Sequence, residues 1–176
     1  MTWAMKPYVN INVDEALISQ ELNRQFKKGN AFIAVKDVGI DLVLIKNIKK
    51  KKTKGIRIQV KGSKYYLNKN PSKSGGWVTL SNERINQYNS MVDYIIFVVW
   101  EYDIYTKGKP IKFHPYFLII PMNDFVKLVK KKKIEHGIGY SFYFRRQGKN
   151  AFEVRDENKK GRIDLTKYLN NWDVIK

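Results

Sequence analysis

Three residues in two short apolar stretches have the types and spacing to do chemistry together. Asp41 interrupts the run Ile40-Asp-Leu-Val-Leu-Ile45, and Gln59 and Lys61 flank Val60 at the end of Gly55-Ile-Arg-Ile-Gln-Val-Lys61. A carboxylate and an amide oxygen are hard ligands of the kind Mg2+ takes. A lysine beside such an ion can orient or deprotonate a water for attack on a phosphodiester. Strand side chains alternate, so Gln59 and Lys61 share one face while Val60 points away and offers its peptide carbonyl as a neutral ligand. Polar groups at these positions are costly inside a sheet unless something partners them, and a shared cation would do so. The plain alternative is that Asp41 ends a hydrogen-bonded turn and Lys61 snorkels at a strand end.

The elements that must position these residues follow from pattern. Asn12 to Phe26 reads as a helix, with Asn12 as its cap, Asp14 and Glu15 in the first turn, and Val13, Leu17, Ile18, Leu22 and Phe26 as its apolar stripe. Lys27-Lys28-Gly29-Asn30 is expected to end it, with Gly29 in the left-handed conformation. Strands are expected over Ala31–Val35, Gly39–Lys46 and Gly55–Lys61, with the lysine-rich stretch 47–54 as a solvated hairpin loop. Tyr65, Tyr66 and Leu67 would extend the sheet. The turn-rich stretch Asn68 to Gly76 reads as a loop. A second helix is capped by Ser81, with Ile85 and Tyr88 inward. Two strongly apolar strands follow, Tyr94–Trp100 and Tyr116–Ile120. Asn123 would cap a third helix carrying Phe125, Val126, Leu128 and Val129, and the run Lys130–Lys133 suits that helix's negative end. Shorter strands over Tyr140–Phe144 and Ala151–Val154 and a short helix near Leu165–Leu169 complete the chain. Strands apolar on both faces imply a sheet covered on both sides.

Composition narrows the class further. The formal net charge of +18 attracts polyanions, and 14% aromatic content supplies stacking surfaces. Excess charge also serves solubility, and lysine far outnumbers arginine, which argues against bidentate base reading over the whole surface. The candidate nucleic-acid contacts are Lys49, Lys50, Lys51 and Lys52, then Lys64, Lys69 and Lys73 with Trp77, and finally Arg145 and Arg146. Cysteine is absent, which excludes disulfides and thiolate metal sites. The two histidines, His114 and His136, lack acidic partners at ligand spacing. Asp93 and Glu101 read as solvated strand-end charges. No apolar run approaches the roughly 20 residues a membrane helix needs, so a soluble, cytoplasmic protein is expected.

Glu21 in the first helix, Gly39-Ile-Asp41, and Gln59-Val-Lys61 together resemble the ordered signature of the PD-(D/E)XK, or restriction-endonuclease-like, nuclease superfamily. The resemblance covers about residues 12–130, with the motif confined to 15–61. It implies an α/β fold whose core is a mixed central sheet flanked by helices on both faces. It implies Mg2+, with Mn2+ able to substitute, and a DNA-cutting activity. By resemblance Asp41 is the metal-binding aspartate, Gln59 stands at the (D/E) position, Lys61 is the catalytic lysine and Glu21 is the helix carboxylate. The metal set would be Asp41, Gln59, the Val60 carbonyl and Glu21. Two departures stand out: Ile40 occupies the place of the name-giving proline, and Gln59 replaces an acid, removing one negative charge from the site. The chain is expected to be a single domain, core 12–130 with a C-terminal extension 134–176. Its expected partner is double-stranded DNA, and cutting two strands calls for a homodimer or larger assembly. The alternatives are a Holliday-junction resolvase or repair nuclease of the same fold, or a nucleic-acid-binding protein without catalysis.

Overall fold

The computed structural model describes residues 12–34, 39–48, 52–66, 74–103, 112–132, 139–156, 158 and 161–176. Helix α1 (Val13–Gln25) starts where Asn12 accepts a hydrogen bond from the Asp14 backbone at 3.0 Å, satisfying a donor the helix leaves free. Its inward side carries Ile18 and Leu22, both fully buried. Val13 departs from the expected stripe and is 72% exposed, because the first turn overhangs the core. Gly29 is not a left-handed cap either. It opens strand β1 (Gly29–Ile33), and a side chain there would press on the Ile45 carbonyl at 3.0 Å.

Strands β2 (Leu42–Ile48) and β3 (Lys52–Gly62) form an antiparallel hairpin, and β1 pairs antiparallel with β2 on its outer side. Helix α2 (Asn82–Met91) begins at Ser81, whose hydroxyl accepts from the Arg84 backbone. It leads into β6 (Tyr94–Asp103), which lies parallel to β3, and β7 (Lys112–Pro121) closes the sheet antiparallel to β6. The order is β1-β2-β3-β6-β7.

Between β3 and α2 the chain makes β4 (Lys64–Tyr66) and β5 (Gly75–Ser81). These join β8 (Gly139–Gln147), β9 (Asn150–Glu153) and β10 (Ile163–Asp164) in a second sheet, ordered β10-β9-β8-β5-β4. Tyr65 and Tyr66 therefore do not extend the first sheet, and Gly75-Gly76, expected in a loop, begin a strand. A second sheet escaped the pattern reading because pairing of β5 with β8 links residues about sixty positions apart, and alternation within a strand carries no information about its partner. Residues 139–176 are consequently woven into the core: Phe142, Phe144, Ala151, Leu165 and Tyr168 pack with Val78, Leu80, Phe97 and Phe125.

Alternation along β3 and β6 divides two apolar layers. Ile58, Val60, Ile96 and Val98 face α1 together with Leu42, Leu44, Trp172 and Ile175. Ile95, Phe97 and Val99 face α2, the second sheet and α3 (Met122–Lys130). One face of the first sheet is thus covered by a helix and the C-terminal turns, the other by two helices and a sheet. Helix α3 starts at Pro121 without a side-chain cap, so Asn123 does not play that role. Its buried side is Met122, Phe125, Leu128 and Val129. The lysine run behind it is not uniformly solvated: the side chain of Lys132 is 3% exposed and pairs at 2.8 Å with Glu153, itself 2% exposed. The expected helix near 165–169 is a single 3-10 turn, Thr166–Tyr168. Among the described residues no helix is long and apolar enough to cross a membrane.

Candidate functional site

The β2–β3 register decides where Asp41 goes. Leu42 lies opposite Ile58, and the Asp41 backbone N–H continues the ladder by donating to the Ile58 carbonyl at 3.0 Å. Asp41 therefore falls beside Gln59, on the same face. Just before it, Gly39 takes φ +90°, and a side chain there would lie 2.9 Å from the Gln87 amide nitrogen on α2. Only glycine adopts that backbone without strain, so the bend that delivers Asp41 depends on it.

Asp41 Oδ2 accepts from the Val60 backbone N–H at 2.7 Å and, in a very close contact, from the Gln59 side-chain amide. The same Gln59 nitrogen lies 3.2 Å from the Val60 carbonyl oxygen. Gln59 is 1% exposed, and its carbonyl Oε1 is buried without a hydrogen-bond partner. A buried amide oxygen left this way is costly. The two ends of an amide exchange by a half-turn of the side chain. So turned, Gln59 would give up its bonds to Asp41 and Val60 and set its oxygen against both of theirs. Only a bound cation would offset that arrangement, and a hard divalent one matches the set. The residues present therefore fit a divalent metal, with one carboxylate and two neutral oxygens.

Lys61 stands on the same face as Gln59, half-buried, with Nζ 5.3 Å from the centre of the Tyr88 ring. Tyr88, 2% exposed on α2, together with Gln87 beside Gly39, brings that helix against the site. Nothing in the sequence set these two apart: Tyr88 read as an ordinary apolar position. Glu21 is placed differently. It belongs to α1, which packs on the opposite face of the sheet, and its carboxylate pairs with Arg24 at 2.7 Å. Among the described residues no group of three or more His, Cys, Asp or Glu is gathered to hold a metal.

The strand ends behind the site are tied by a pair the sequence had suggested was merely solvated. Asp93 accepts from the Arg57 backbone N–H at 2.8 Å and from its guanidinium at 3.0 and 3.2 Å. Partial burial works to raise the Asp93 carboxyl, but these bonds and the Arg57 charge outweigh it and hold the carboxyl below its ordinary range. The pair fixes where β6 starts against β3. Glu101 likewise has a partner, Arg146 at 2.6 Å.

The candidate nucleic-acid contacts are scattered. Lys49, Lys50, Lys51, Lys69 and Lys73 lie outside the described residues, as does His136. Lys52 opens β3, paired through its backbone with Ile48. Lys64 is exposed and sits 5.1 Å above the Trp77 ring. Arg145 is buried, whereas Arg146 is exposed and pairs with Glu101, its guanidinium 5.7 Å from the Tyr116 ring. No family model matches this chain, and neither a curated protein nor a solved structure matches it.

Proposed function

We propose that this chain is a divalent-cation-dependent DNA endonuclease of the PD-(D/E)XK kind. The observation that carries the reading is the buried Gln59 amide, set against the Asp41 carboxylate and the Val60 carbonyl with its own oxygen unpartnered. The helix, three-strand meander, second helix and two apolar strands of the mixed first sheet, with β4 and β5 inserted before the second helix, support the same restriction-endonuclease-like core.

In this reading Asp41, Gln59 and the Val60 carbonyl hold Mg2+ or Mn2+, which when bound supplies positive charge against the scissile phosphate and acidifies a water. Lys61 orients that water and steadies charge on the phosphate oxygens. The buried Tyr88 ring keeps the ammonium on the site side of the sheet. Glu21, on the far face, is not among the ligands that support the reading. The substrate is duplex DNA inside the cell, and two-strand cutting requires a homodimer or larger assembly. A junction resolvase or repair nuclease would use the same residues on branched DNA.

The single carboxylate favours one competing reading, a nucleic-acid-binding protein without catalysis. Nicking of supercoiled plasmid with Mg2+ or Mn2+ separates the two. The endonuclease reading expects nicking that EDTA abolishes and that Lys61→Ala reduces at least about a hundredfold, in line with general acid–base catalysis. Plasmid, linear and branched DNA all left intact under both metals, with binding preserved in EDTA, would leave the binding protein.

A further inference from the structure

We infer that the outer face of the second sheet binds an unpaired DNA strand by stacking its bases on Trp77 and Tyr143. The inference takes DNA as partner from the reading above but not its catalysis. On β5 and β8 the side chains of Val78, Leu80, Phe142 and Phe144 enter the core, so Trp77 and Tyr143, which lie directly opposite each other, face the other way. Their rings are nearly parallel, 18° apart with centres 6.3 Å apart. Tyr66 on β4 adds a third ring 5.2 Å from Tyr143.

Cations lie over these rings, on exposed side chains that a stacking base would displace toward its phosphates. Lys64, opposite Trp77 on β4, holds its ammonium 5.1 Å above the indole, and the Arg155 guanidinium lies 4.9 Å from the Tyr143 ring. Lys64 and Arg155 are exposed, and the three rings are half-buried. Aromatic rings interleaved with cations on an open sheet are the arrangement that takes splayed bases and tracks their phosphates. A duplex keeps its base faces covered and gains nothing from the rings. The chain's net charge of +18 suits a polyanion. The face also connects to the candidate site, since β3 ends at Gly62 and β4 begins at Lys64, three residues from Lys61.

The test is fluorescence anisotropy of a labelled 20-nucleotide single-stranded DNA, its duplex and the RNA of the same sequence, all in EDTA. Trp77→Ala and Tyr143→Ala are each expected to weaken single-strand binding about tenfold, the loss of one stacked base, with duplex binding changed less than twofold. Trp77→Phe and Tyr143→Phe retain a ring and are expected to restore most of the affinity. Lys64→Ala, at an exposed position, is expected to lower the salt dependence by about one phosphate contact. Equal losses on single strand and duplex, no loss in either alanine variant, or a preference for the RNA would overturn the inference. Plasmid nicking that fails while these losses appear would remove the endonuclease reading and leave this one standing.

Discussion

The Val60 backbone N–H donates to Asp41 Oδ2 across 2.7 Å, so the carboxylate proposed to hold a cation also closes the end of the β2–β3 ladder. Removing Asp41 thus disturbs fold and site together, and a cleaner probe lies at its neighbour. Gln59→Glu keeps the shape and adds a second carboxylate beside the first. Without metal the two charges repel, and the buried site resists ionising both. A loss of about 1–2 kcal/mol, or roughly 2–8 °C in Tm, is expected in EDTA. Mn2+ should reverse it, giving the variant a larger metal-induced Tm rise than the parent chain. Equal metal responses in thermal melts would argue against a cation at Asp41.

Lys132 and Glu153 form a pair almost wholly removed from solvent, and Glu153 also accepts from the Tyr143 and Arg155 backbone N–H groups at 3.2 Å. Lys132→Met leaves that carboxylate buried without its cation. A loss of about 3–5 kcal/mol is expected by chemical denaturation. Adding Glu153→Gln should recover part of it, because a neutral amide oxygen still accepts from both N–H groups. A double variant no more stable than Lys132→Met alone would contradict this account.

Asp93 predicts an acid limb of stability. A carboxyl whose folded pKa lies below its unfolded value of about 3.9 stabilises the fold above that value, and the contribution disappears as pH falls through the folded pKa. Asp93→Asn should therefore melt lower than the parent chain at pH 7, and the two curves should converge below about pH 4. Asp124 is held low by its Tyr168 and Lys127 bonds in both proteins and supplies the same background to each. A constant Tm difference down to pH 2 would count against the Arg57–Asp93 tie.

Gly76 marks where the two sheets approach. A side chain there would meet Ser63 Oγ at 2.5 Å and Val99 Cγ1 at 2.6 Å. Gly76→Ala is expected to cost about 1–3 kcal/mol through overpacking, read as a lower denaturation midpoint. Pairing it with Val99→Ala should return some of that loss by removing one of the two obstacles.

Helix positions, their polar caps at Asn12 and Ser81, and the apolar strands around β6 and β7 were legible in the sequence, because capping and periodicity act within a few residues. The meeting of Asp41 with Gln59 was legible in part, since a hairpin brings the two strands together and alternation puts Gln59 on one face, but the bond from the Val60 N–H to Asp41 was not. The cap expected at Asn123 failed because its helix starts two residues earlier, at Met122, directly from Pro121.

What the sequence determined by itself was therefore local: most of the helix and strand stretches, two of the helix caps, and which polar groups share a strand face. Only the tertiary structure decided that α1 lies on the face away from Lys61, taking Glu21 with it, and that β8, β9 and β10 complete a second sheet. It also decided that Lys132 is buried while Lys130 and Lys131 in the same run are solvated. The physical reason is common to all three. Which face a helix covers and which distant strand pairs with which depend on packing between segments far apart in the chain, and the spacing of residues within one segment carries no record of it.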